Sequence, residues 1–246
     1  MIPGDVALSA KPLYRIDRPV MTQQWRDLAY LHWRYDPRAV ADLLPPGLEV
    51  DTFDGSAWVG LVPFHMVDIA ARRLPPFPYF GTFPETNVRT YVIGPEGPGV
   101  WFNSLDINRL LPVLVARSAY RLPYMWGTME IRRSLGKISY RAERRWPRPA
   151  GTSSLVTVEI GDEIAQPTDL DHFLSARWGL YTMLGSRLAH ARVEHEPWPL
   201  RRASVVELRD DFVAAAGYQA PQDEPHALYS PGVSVRVDRP RFVDVP

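Results

Sequence analysis

Cysteine is absent from all 246 positions, which excludes disulfides, thiolate nucleophiles, iron–sulfur clusters and the common structural zinc sites. Lysine is nearly absent. Lys11 and Lys137 are the only ones, so few amines exist to form a Schiff base. Net charge is missing too: 28 basic and 28 acidic residues cancel, which argues against a nucleic-acid partner, because phosphate binding needs clustered excess cations. No apolar run approaches the roughly 18 residues of a membrane-spanning helix. The start Met1-Ile2-Pro3-Gly4-Asp5 has neither the basic nor the apolar segment of a signal peptide. A cytoplasmic protein that partners neither membrane nor nucleic acid is the expectation. Phosphate-cradling glycine motifs and a Gly-x-Ser-x-Gly elbow are also absent. Of the six histidines, His190 and His195 fall on opposite faces of a strand, and His32 and His65 read as hydrogen-bonded core residues. No metal or other cofactor is expected.

Proline is abundant instead. Its 25 copies cut the chain into short pieces. Residues 1–20 read as an irregular arm and residues 21–246 as one domain. Alternating apolar runs predict ten or more strands, among them Trp25–Arg34, Trp58–Ile69, Glu85–Ile93, Val100–Asp106, and a hairpin of Trp126–Arg133 with Lys137–Trp146 across Leu135-Gly136. Asp36-Pro37 starts a short helix, with Asp36 as N-cap and Pro37 at the first helical position. Leu110–Tyr120 is the best helix in the chain, and shorter ones are expected near Leu170–Arg177 and Asp210–Ala216. The fold class is mainly β (α+β), a closed or strongly curved antiparallel sheet with a few short helices.

Pro84-Glu85-Thr86-Asn87-Val88-Arg89-Thr90-Tyr91-Val92 alternates strictly. As a strand it puts Glu85, Asn87, Arg89 and Tyr91 on one face and Thr86, Val88, Thr90 and Val92 on the other. An acid, an amide, a guanidinium and a phenol in one row can hold a small polar molecule, with Arg89 gripping a carboxylate and Glu85 handling a proton. A half-exposed strand whose wet face carries a Glu–Arg pair shows the same alternation, and the strand alone does not choose.

The stretch from Asp36-Pro37-Arg38 to Val50-Asp51 resembles the YqjF-like family of bacterial proteins, a branch of the acetoacetate-decarboxylase-like superfamily. The resemblance continues through Trp58–Phe64, Pro84–Val92, Gly99–Asp106, Leu122-Pro123-Tyr124, Phe173–Tyr181 and Tyr229–Val233, roughly residues 20–240 in all. It implies a cone-shaped antiparallel β-barrel around a small-molecule cavity. Decarboxylases of the superfamily use a Schiff-base lysine shortly after a helix ending in a Ser-Ala-Tyr-like run. Here Arg117-Ser118-Ala119-Tyr120 is followed by Arg121-Leu122-Pro123, and an arginine stays protonated and cannot act as the amine.

By the resemblance, the family's acidic residue falls at Glu85 and the arginine of its first strand near Arg26, while Arg121 stands where the lysine would enter the cavity. Arg26, Arg89 and Arg121 around Glu85 would favour a carboxylate or enolate. Asn87, Tyr91 and Asn103 would orient it, Asn103 sharing its strand face with Trp101 and Leu105. The expected function is an enzyme of lyase or isomerase type on a small carbonyl or carboxylate compound, by aldol, dehydration or enolisation chemistry without a Schiff base. A non-catalytic binding protein using the same cavity is the alternative, and a structural protein with a filled barrel a third. Outer aromatics on a curved sheet are compatible with a homo-oligomer.

Overall fold

A computed structural model describes residues 9–12, 14–109 and 123–244. Among them are thirteen strands: β1 (Met21–Tyr35), β2 (Glu49–Val50), β3 (Ala57–Ala71), β4 (Phe83–Gly94), β5 (Gly97–Ile107), β6 (Tyr124–Ser134), β7 (Lys137–Trp146), β8 (Ser153–Glu163), β9 (Gly179–Leu184), β10 (Arg187–His195), β11 (Arg201–Asp210), β12 (His226–Val237) and β13 (Arg241–Phe242). Three short helices accompany them, α1 (Pro37–Ala41), α2 (Asp169–Ser175) and α3 (Phe212–Ala215). Asp36 caps α1 as its sequence predicts, its carboxylate accepting from the Arg38 amide at 2.9 Å. The helix expected over Leu110–Tyr120 lies outside the described residues. Residues 9–12 and 14–20 carry no helix or strand and run along β10, where Ile16 donates its amide to Glu194.

The strands form one sheet that closes on itself twice. Strands β5-β6-β7-β8-β11-β12-β1-β3-β4 make a nine-membered circuit, sealed by the β4–β5 pairing. The β10–β12 pairing seals a second circuit, β5-β9-β10-β12-β1-β3-β4. Strands β12, β1, β3, β4 and β5 are therefore a wall common to both. The wall forks because β5 and β12 change partners along their lengths. β5 pairs with β9 at Val100 and Trp101 and with β6 from Leu105 to Ile107. β12 pairs with β11 near Leu228–Tyr229 and with β10 from Val235 to Val237.

The sheet is antiparallel, as expected, except at this fork. The β5–β6 and β5–β9 junctions are parallel, which is open to them because no tight hairpin joins either pair and long connections intervene. At the bends the backbone needs special residues. Asp27 takes φ 56° in β1, and Gly232 takes φ +120° in β12. A Cβ on Gly232 would lie 1.9 Å from the Trp25 carbonyl, so only glycine fits.

Alternation along the wall sorts side chains between the two circuits. One face carries Ala29, Leu31 and Trp33 of β1, Val59 and Leu61 of β3 and Val88 of β4. These pack with Ile138, Tyr140, Val156 and Val158 from across the nine-stranded circuit, while Phe212 and Val213 of α3 join the same cluster. That barrel is filled. Within it Arg144 of β7 donates to both carboxylate oxygens of Asp106 of β5, at 2.8 and 2.7 Å, with both side chains 2 % exposed. The other face of the wall carries Leu28, Tyr30, Val62, Phe64, Phe83 and Ile107, and the polar residues of β4 lie on it.

Candidate functional site

Cross-strand registry sets the surroundings of each polar residue of β4, since directly opposed residues share a face. Glu85 stands between Phe64 of β3 and Ile107 of β5, and Asn87 between Val62 and Leu105. Arg89 stands between Gly60 and Phe102. A carboxyl walled by phenyl and butyl groups loses its hydration, and Glu85 is only 3 % exposed. Burial foremost, then the Asp106 carboxylate, push its pKa up to about 8 against the pull of hydrogen bonds from Asn87 and Tyr124. At neutral pH Glu85 is therefore a protonated acid. The half-exposed face with a Glu–Arg pair, the blander expectation for this strand, does not occur: Glu85, Asn87 and Tyr91 are buried, Arg89 is half-buried, and it forms no ion pair among the described residues.

Arg89 points instead to the far end of the row. Its Nη2 donates to the Leu174 carbonyl at 3.0 Å and to the Tyr91 hydroxyl at 3.1 Å. Leu174 O is one of the carbonyls that the last turn of α2 leaves without a helical partner. Arg177 serves the neighbouring one, donating Nε to Phe173 O at 2.9 Å while its Nη1 pairs with Asp51. Helix α2 is held there by a capping box of Thr168 and Asp171 and by burial of Phe173 and Leu174. The Arg89 guanidinium lies 5.3 Å from the Tyr30 ring centre and 5.6 Å from that of Tyr91, and Arg177 lies 4.7 Å from the latter.

The Tyr91 hydroxyl has three protein partners: Leu174 O at 2.5 Å, Arg89 Nη2, and His32 Nε2 at 2.7 Å. Its single proton goes to the carbonyl, which can only accept, so it accepts from the guanidinium and from His32. His32 is thereby the Nε2–H tautomer, neutral, with burial holding its pKa well below the usual imidazole range. Gly60 makes this possible, because a Cβ there would stand 2.5 Å from His32 Nε2. A Gly60→Ala variant should push the ring off Tyr91 and lose about 1–3 kcal/mol in denaturant unfolding, the usual range for overpacking. A loss under a few tenths would refute the contact.

Several buried polar atoms on this face have no hydrogen-bond partner among the described residues: Glu85 Oε2, Asn87 Oδ1, Arg89 Nε, Tyr30 Oη and His32 Nδ1. Buried polar groups are seldom left so. Neither lysine approaches them: Lys137 lies in the β6–β7 turn, 3.8 Å from Glu159, and Lys11 is exposed on the arm. An open groove of about 1110 Å³ between the arm and the wall is lined partly by His195. The His195 ring sits 4.8 Å from Trp198 and 4.5 Å from Trp178. Burial lowers its pKa to about 4, with a small contribution from the Arg89 charge.

The structure thus brings Glu85, Asn87, Arg89 and Tyr91 onto one face, buried except for the half-buried Arg89, and leaves two expected residues off it. Arg26 donates to its strand neighbour Gln24, while Trp25 packs inward against Phe64 and Trp198. The bulge at Asp27 keeps both Trp25 and Leu28 inward and turns Arg26 out. Asn103 is the extra residue where β5 bulges, between Val88↔Ser104 and Arg89↔Phe102. It faces the filled barrel and accepts from Tyr218 at 2.9 Å. Arg121 lies outside the described residues. Tyr30, His32 and Arg177 were not expected at the site. A glycine inside an otherwise apolar strand, Gly60, is a sequence sign of close approach, and Tyr30 and His32 share the alternation of β1. Arg177 carries no such sign. Among the described residues no helix is long and apolar enough to cross a membrane.

Residues 22–234 match the DUF2071 family, described as an uncharacterized conserved protein. The chain belongs to the DUF2071 family. Like it is the uncharacterized protein YqjF of Bacillus subtilis (strain 168), 33 % identical over 211 residues that cover 86 % of this chain and 87 % of YqjF. Solved structures show that this DUF2071 chain has the acetoacetate-decarboxylase-like fold. The enduracididine biosynthesis enzyme MppR, complexed with pyruvate, superposes with a TM-score of 0.66 at 15 % identity, over 95 % of this chain and 93 % of its own. Acetoacetate decarboxylase from Legionella pneumophila superposes with a TM-score of 0.65 at 12 % identity, over 95 % and 91 % of the two chains.

Proposed function

We propose that the buried face of β4 is the ligand site of an enzyme acting on a small carbonyl or carboxylate compound without a Schiff base. The observation that carries this reading is Arg89, a cation with no carboxylate partner among the described residues and its Nε unsatisfied, beside a carboxyl that burial keeps neutral. A buried polar atom such as this Nε is seldom left without a partner. A ligand carboxylate on Nε partners that nitrogen, and Glu85 gives its proton to oxygen while the resulting carboxylate takes up the proton released: the C–H proton in enolisation and in dehydration, where water leaves, and the hydroxyl proton in retro-aldol cleavage. Asn87 orients the ligand, and Tyr91, its hydroxyl committed to the protein, positions Arg89. By the family resemblance Arg121, standing where the superfamily's lysine does, would join these groups. That MppR, of the same fold, is complexed with the keto acid pyruvate supports the ligand class.

Binding without turnover is the second reading. It is favoured by His32 Nε2 being tied to Tyr91, which leaves Glu85 as the one proton-transfer group of the face with a free atom and a pKa near neutrality. A thermal-shift screen with keto acids, hydroxy acids and simple carboxylates tests the site. A carboxylate at about 100 times its Kd should stabilise the chain by roughly 2.7 kcal/mol, and Arg89→Ala should abolish the effect. Equal stabilisation of parent and Arg89→Ala would remove the clamp. Glu85→Gln separates the two readings, since it ends turnover while affinity persists.

A further inference from the structure

Five unsatisfied atoms on one buried face constitute a hydrogen-bond pattern that a ligand must complement, and the pattern has both signs. Arg89 Nε–H is a donor. Tyr30 Oη, with no partner and no exposed surface, is a second donor on the same guanidinium, which lies over its ring. Together they suit one carboxylate. The opposite sign is supplied by His32 and Asn87. The proton count at Tyr91 leaves His32 Nδ1 as a bare lone pair, buried with 0 % exposure and unpartnered. Its ring is stacked on Tyr30 with centroids 6.1 Å apart. Asn87 directs its amide hydrogens to Glu85, so its Oδ1 is the free atom. Neither acceptor can be satisfied by a carboxylate or a ketone, which are themselves acceptors only.

We infer that the ligand is a hydroxy carboxylate, its carboxylate on Arg89 Nε–H and Tyr30 O–H and its hydroxyl donating to His32 Nδ1. This rests on the β4 face being the ligand site and specifies what that site selects. A simple keto acid leaves the imidazole lone pair buried and empty, and a site built to pair a hydroxyl discriminates against ligands that lack one. Its enol form, which carries the hydroxyl, is accepted. His32 is thus a specificity-determining residue.

Calorimetric titration of the full chain with matched pairs tests this: lactate against propionate, malate against succinate, 3-hydroxybutyrate against butyrate. At least one hydroxy acid should bind about tenfold tighter than its deoxy partner, the equivalent of ~1.4 kcal/mol. His32→Gln retains an amide donor toward Tyr91 but has no acceptor at the Nδ1 position, so the ratio should fall to about one with the deoxy acid unchanged. Tyr30→Phe should weaken both members of the pair alike. Should His32→Gln fail to fold, ¹⁵N-histidine labelling of the parent chain gives an independent readout, the His32 Nδ1 resonance shifting with the hydroxy acid and not with its partner. Equal affinities within every pair, or an unmoved Nδ1 resonance, overturn the hydroxyl assignment while leaving an Arg89-dependent carboxylate site standing. Binding of no carboxylate at all removes that site and this inference with it.

Discussion

Asp106→Ala should unfold about 3–5 kcal/mol more easily than the parent chain, the usual effect of stranding one member of a buried ion pair. The guanidinium of Arg144 would keep its 2 % exposure and lose both charge-assisted bonds to β5. No nearby water replaces them, because the surrounding residues are the packed interior of the nine-stranded circuit, Phe212 among them, its ring 5.1 Å from the guanidinium. Denaturant melts of Asp106→Ala and of the double variant Asp106→Leu/Arg144→Met give the test. The double variant should recover most of the loss, since an apolar pair of similar volume leaves no unpaired charge. A single-variant loss under about 1 kcal/mol would show that the pair is open to solvent.

The second large effect belongs to Glu85 and depends on pH. Its carboxyl has a folded-state pKa of about 8 against an ordinary 4.5. Between those values the folded chain retains a proton that the unfolded chain has released, so stability falls as pH rises from roughly 4.5 to 8 and is level beyond. The accumulated penalty is on the order of 3–5 kcal/mol. Glu85→Gln removes the ionisation, so its unfolding free energy should hold steady across that range and exceed the parent's above pH 8. Turnover, if Glu85 donates a proton, should decline above about pH 8 in the parent. Superimposable stability profiles for parent and variant would mean that Glu85 is hydrated and ionises normally, and the proton-donor role would go with it.

The period-two reading of β4 was enough to place Glu85, Asn87, Arg89 and Tyr91 on one face, because hydrogen-bonded strands enforce that alternation regardless of what lies across from them. Alternation failed where the backbone departs from it. Asn103 is itself the inserted residue of a bulge, and Arg26 precedes a left-handed Asp27; neither has a composition that marks it. The β4 sequence also could not say how wet its polar face is. That depends on Phe64 and Ile107, which are distant in sequence and reach Glu85 only through registry. Helix α2 exerts a similar long-range effect: its end, 85 residues away from Arg89, takes Nη2 and turns the guanidinium away from Glu85. The strand count and the closed, mainly β architecture were legible because proline and glycine punctuation is local. The parallel junctions at the fork were not, since pairing partners far apart in the chain leave no trace in either strand.

The wall shared by the two circuits has a consequence for how such a protein can change. Thr86, Val88 and Thr90 face a barrel whose packing maintains the fold, and their neighbours Glu85, Asn87 and Arg89 face the other way. Mutational tolerance along β4 should therefore oscillate with every residue, constrained by volume at one position and by ligand chemistry at the next. Changes at Glu85 and Asn87 leave the packing of the filled barrel untouched, whereas Arg89 and Tyr91 also hold the end of α2. Insertion or deletion of one residue in β4 is the change such a lineage cannot accept: it would turn the acid and the guanidinium into the filled barrel and the valine into the site, losing fold and chemistry in one step.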